Sequence, residues 1–180
     1  MTALRSENTK LKSRIHSLEK EKKKHNAVIH GLQESDNENC VKSVQDTVSL
    51  LNIAIKDSAI EDAFRAGKII ANKRGENAAQ PKSRAIIFKV KTFELKILIM
   101  NAVANLRKEK VIKNILGDTR LSYDYTIEER DTYRKLVAFL EILKTDNPGV
   151  KAFIRYDKIV CGNKTYKLNE TGGDIEEINN

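Results

Sequence analysis

The chain has 180 residues, 32% of them charged and 40% hydrophobic, and this composition suits a chain that folds around small cores, as one ordinary domain or two small ones. Its 33 Lys and Arg outnumber its 25 Asp and Glu, giving a net charge of +8 and a pI near 9.4, so the natural partner is a polyanion. No stretch approaches the roughly eighteen consecutive apolar residues of a membrane span and no apolar block marks a secretory leader, so the chain is expected in the cytosol or nucleus.

Residues 1–25 carry Leu4, Leu11 and Leu18 seven apart, a heptad with Leu at d; Met1, Asn8, Ile15 and Lys22 then fall at a. No Gly or Pro interrupts the run, so one continuous helix is predicted, forming a coiled-coil oligomer. Asn8 at a trades stability for register, and Arg14 at g and Glu19 at e flank the seam residues Ile15 and Leu18, where interchain ion pairs select partners. The plainer alternative is a solitary helix packed on its own domain. The narrow a/d stripe argues against it, since such helices show a broader apolar face.

A basic neck follows, comprising Lys20, Lys22, Lys23, Lys24 and His25. Repeated once per subunit around an oligomer axis, it would concentrate charge where phosphates can release counterions. Residues 27–32 read as a short strand ended by Gly31, and Val41, Val44, Val48 and Leu51 read as a helix with Asp36 or Asn37 as cap. Residues 59–68 read as a second strand, 72–83 as a loop containing Gly75 and Pro81, and 84–90 as the clearest strand. Thr92 caps a helix bearing Leu95, Leu98, Ile99, Ala102, Val103 and Leu106. Over residues 26–118 the order is β-α-β-β-α, which lacks only a closing strand, for which 120–123 is the candidate, and it suggests a split βαβ or ferredoxin-like layout.

Thr126 and Glu129 form a capping box that starts a helix running to about residue 145, and Asn147-Pro148-Gly149 ends it. Residues 150–168 alternate as strands, with turns at Tyr156-Asp157 and at Gly162-Asn163, the second fitting a Gly-first hairpin. Residues 119–168 are thus expected to form a small helix-plus-hairpin domain, and 169–180 an acidic, disordered tail. The fold class overall is α+β. Cys40 and Cys161 lie far apart without neighbouring Cys or paired His, so neither a disulfide framework nor a zinc site is read, and no metal or cofactor is expected.

The ordered set of heptads, basic neck, Asn26-Ala-Val-Ile-His-Gly-Leu-Gln-Glu34, Ala63-Phe-Arg-Ala-Gly-Lys68, Pro81-Lys-Ser-Arg-Ala-Ile-Ile-Phe-Lys-Val90 and Leu121-Ser-Tyr-Asp-Tyr-Thr126 resembles the first-reading-frame proteins of LINE-type retrotransposons, including those of insect elements. Each block is loose, and the order carries the likeness over nearly the whole chain. The resemblance implies a coiled coil, a divergent RNA-recognition (RRM-like) domain and a C-terminal domain that together coat single-stranded RNA and act as a nucleic-acid chaperone in a cytoplasmic ribonucleoprotein, with a nuclear location also open. It further implies a cleft lined by Arg65, Lys68, Lys82 and Arg84 from one domain and Arg130, Arg134, Lys135 and Arg155 from the other, with Lys22, Lys23 and Lys24 at the neck. Arg14-Ile-His-Ser-Leu-Glu19 is similar to a motif of trimeric coiled coils, which favours a homotrimer, while Asn8 also suits a dimer.

The likeness has departures. The third strand lacks the basic-Gly-aromatic signature by which RNA-recognition modules stack bases. Phe88 alternates with Ile86 and Val90 and reads as core. Tyr123 and Tyr156 are the first choices for base stacking, ahead of Tyr125 and Tyr133. Arg130 and Arg134 share one helix face and could grip successive phosphates.

Catalytic motifs are absent from the sequence: no Gly-rich phosphate loop, no HExxH, no nucleophile elbow and no spaced carboxylate cluster. The reading is therefore a non-enzymatic, sequence-tolerant binder of single-stranded RNA, weaker on DNA and without a membrane role. The alternative is a coiled-coil adaptor whose basic surface serves solubility.

Overall fold

The computed structural model describes residues 2–68, 83–155, 157–169 and 173–178. The architecture is mixed α and β. A 22-residue helix, α1 (Thr2–Lys23), is followed by antiparallel sheets and further helices. Among the described residues no helix is long and apolar enough to cross a membrane. The chain divides into two compact units, Ser17–Asp124 and Met1–His16 with Tyr125–Asn180.

In the first unit the chain runs β1 (Asn26–His30), α2 (Cys40–Ser49), β2 (Ile60–Arg65), β3 (Ile86–Val90), α3 (Phe93–Lys108), α4 (Ile112–Leu116) and β4 (Arg120–Tyr123). The sheet order is β2-β3-β1-β4, antiparallel throughout. β1 is central, which explains its unbroken apolar run: Ala27, Val28 and Ile29 are all buried. Its inward residues join Ile86, Phe88 and Val90 of β3 and Leu121 of β4 against Val44 and Val48 of α2 and Ile99 and Val103 of α3. Phe88 is fully buried, as its alternation predicts.

Gly31 ends β1 at φ +79, and a Cβ there would lie 2.7 Å from the Asp118 carbonyl oxygen, so only glycine fits. The cap of α2 is neither Asp36 nor Asn37. Asn37 sits at φ +58, outside the extended region an N-cap needs, whereas Asn39 is extended and its side chain accepts from Lys42 N. The expected loop at 72–83 falls, except for Ser83, outside the described residues. α4 has no counterpart in the sequence reading, being too short to show a period.

The closing strand β4 pairs with β1 from Ala27↔Tyr123 to His30↔Arg120, so residues 119–124 belong with the first unit and the division lies after Asp124 instead of after 118.

In the second unit, α5 (Ile127–Asp146) packs on a four-stranded meander of β5 (Ala152–Arg155), β6 (Lys158–Cys161), β7 (Lys164–Leu168) and β8 (Ile175–Ile178), in the order β5-β6-β7-β8. The capping box is present in full: Thr126 Oγ1 accepts from Glu129 N at 3.1 Å, and Glu129 Oε2 accepts from Thr126 N at 2.9 Å. Leu136, Leu143, Ile159 and Cys161 form the core, with Phe139 set edge-on to Tyr166 at 5.5 Å. Gly162 takes φ +58 at the first position of the two-residue β6–β7 turn, as a Gly-first hairpin requires. The tail expectation is corrected at residues 175–178. β8 pairs with β7 from Thr165↔Ile178 to Leu168↔Ile175, and Ile175 reaches the core, so the second unit holds a full sheet where a hairpin was expected.

Candidate functional site

Seam residues of α1 face outward. Leu4, Leu11, Ile15 and Leu18 are between 54% and 73% exposed, and Asn8, Arg14 and Glu19 are exposed beside them. At the neck, Lys22 is exposed and Lys24 pairs with Glu21 one turn back at 3.1 Å. Lys23 reaches Asp124 at 2.7 Å, and Asn26 Nδ2 donates to the other Asp124 oxygen at 3.1 Å. Lys96, itself buried on α3, donates to the Lys24 carbonyl at 2.7 Å and lies 5.2 Å from the centre of the Tyr123 ring. An ammonium at the carbonyl end of α1 is favoured by the helix dipole as well as by the direct bond. Lys23, a neck candidate, is therefore engaged in joining α1 to the sheet, and Tyr123, a stacking candidate, has the Lys96 ammonium over its ring.

Arg65, one of the expected phosphate ligands, directs its donors inside the first unit. Its guanidinium donates to both Glu38 oxygens, at 2.8 and 2.9 Å, and to the carbonyls of Leu32, Gln33 and Arg84. These bonds use every donor the group has, and its side chain is only 5% exposed. The same contact holds the Glu38 carboxyl below the usual carboxylate range, helped by Ser43. Arg84 pairs with Glu34 and donates to the Gly67 carbonyl at 3.2 Å, and Glu34 is likewise held low. Lys68 is exposed, and Lys82 lies outside the described residues.

The face of the first sheet opposite the helices carries the row Phe64↔Ile87↔Val28↔Ser122. Its two central strands present aliphatic side chains at positions where a base-stacking sheet would present aromatics, in keeping with the missing signature. Phe64, on the edge strand, is 51% exposed. His30 bonds Ser122 Oγ at 3.1 Å; burial and the charge of Arg120 hold its imidazole below the ordinary range.

In the second unit Arg130, Arg134 and Lys135 are exposed on α5; Arg134 pairs with Asp131 at 2.8 Å, a surface contact of small worth. Tyr125 and Tyr133 stack at 6.1 Å. Arg155 is exposed at the end of β5, and Tyr156 lies outside the described residues.

Sequence reading missed Arg155's neighbours. On the side of the sheet away from α5, register places Arg155↔Lys158↔Lys167↔Glu176 in one row and Phe153↔Val160↔Thr165↔Ile178 in the next. Phe153 is 50% exposed. The alternation of residues 152–168 carried half of this signal; the cross-strand register carried the rest. No protein-family model and no curated protein matches this sequence.

Proposed function

We infer that the protein is a non-enzymatic binder of single-stranded RNA that works as an oligomer joined through a coiled coil of α1, in the manner of a retrotransposon ribonucleoprotein protein. The observation that carries the reading is the exposed apolar seam of α1 running into a basic neck, in a chain of net charge +8. Apolar side chains at strict a/d spacing gain their burial from a second helix, and oligomerisation multiplies the cations presented to one strand. The β2-β3-β1-β4 order with helices after β1 and β3 supports a ferredoxin-like, RRM-like first unit. A preference for single strands draws on exposed aromatics beside cations.

The test is fluorescence anisotropy of a labelled 30-nucleotide RNA across a salt series, using the full chain and its Leu11→Gln/Leu18→Gln variant. Tight binding by the full chain with a log–log salt slope of several units, weakened at least about tenfold in the variant, is the expected result. Salt-insensitive or absent binding by both sinks the reading and favours the adaptor role, for which the same seam would dock another protein.

A further inference from the structure

The outer face of the second sheet has a charge arrangement that its own fold does not explain. Arg155, Lys158 and Lys167 stand directly opposite one another on three adjacent strands, and Glu176 of β8 ends the row opposite Lys167, leaving Arg155 and Lys158 as its uncompensated cations. Like charges in direct cross-strand register destabilise a sheet. Arg155 and Lys158 form no ion pair among the described residues, and Lys167 has only the exposed Asp157 at 3.2 Å, a contact a competing anion can displace. One residue pair along the strand, on the same face, stands the half-exposed Phe153 ring.

We propose that this face is a platform for single-stranded nucleic acid, with successive phosphates on Arg155, Lys158 and Lys167 and an unpaired base stacked on Phe153. The proposal rests on the nucleic-acid reading above and says where on the second unit the strand lies. A cationic row beside an aromatic matches a strand whose backbone is anionic and whose bases are open. A duplex keeps its bases stacked internally and offers nothing to Phe153.

The full chain is tested by anisotropy with labelled 30-nucleotide polyuridylate and with a duplex of equal length across a salt series. Lys158→Gln should lower the salt slope by about one and leave the thermal midpoint unchanged or raised, because it relieves the repulsion in the row. Phe153→Leu should weaken polyuridylate binding by about fivefold or more with duplex binding unchanged. Lys113→Gln on α4, an equal loss of charge elsewhere, should leave the slope as it was. If circular dichroism shows Lys158→Gln misfolded, Arg155→Gln on the edge strand reads the same row. Binding by the parent chain with Lys158→Gln and Phe153→Leu both behaving like Lys113→Gln overturns the platform and leaves the RNA reading standing. Absent polyuridylate binding by the parent chain overturns both. Capture of the parent chain by phosphatidylserine vesicles, lost in Lys158→Gln while RNA binding is unaffected, assigns the row to a lipid surface and also overturns the platform.

Discussion

Arg65 shows what a cation does when every donor is spent inside the protein. It ties the Leu32–Gln33 backbone, the start of β3 and the loop before α2 to one edge strand through Glu38. Arg65→Gln leaves Glu38, 9% exposed, without its partner and should cost about 3 kcal/mol, read as a lowered urea midpoint with an unchanged m-value. The pH dependence follows from the depressed carboxyls of Glu38 and Glu34. A folded-state pKa below the unfolded one stabilises fully above about 4.5 and loses that contribution as pH falls through the folded value. Thermal midpoints should therefore drop below pH 4.5, and less steeply in Arg65→Gln. The sequence offered Arg65 and Arg155 as equals, because charge in a list does not say whether carbonyls or water surround it. Lys96 was hidden for the same reason, a charged residue inside an apolar helix whose partners lie on another element.

At the scale of the element, most of the secondary structure was legible where a local signal existed. Thr92 and the Thr126–Glu129 box mark helix starts, and Gly162 marks a hairpin, because each requirement sits within a few residues. β8 escaped because its strand character comes from pairing: Ile175 and Ile178 flank two glutamates, and only β7 gives that segment a ladder. Ile175→Asp puts a carboxylate against the α5 core and should lower the thermal midpoint by several degrees, whereas Glu176→Gln, on the outer face, should leave it nearly unchanged. Equal effects of the two variants would mean that β8 adds nothing to the sheet in solution.

For the whole molecule, the quantity to measure is the oligomeric state that the proposed coiled coil of α1 would give the chain. Asn8 lies at an a position among exposed leucines. If α1 associates with itself, Asn8→Ile should strengthen association and broaden the distribution of oligomer sizes, since a buried polar residue narrows that distribution at a cost in stability. Sedimentation equilibrium, read in multiples of 20.4 kDa, separates this outcome from a monomer unaffected by the change. Heptad spacing could suggest the seam but not its number of strands.

The grip of Lys96 on the last carbonyls of α1, with Lys23 held by Asp124, has a mechanical consequence. Only Lys24 and His25 separate the helix from β1, and these bonds pin both sides of that joint, so the last turns of the helix, from Ser17 on, are anchored to the first sheet.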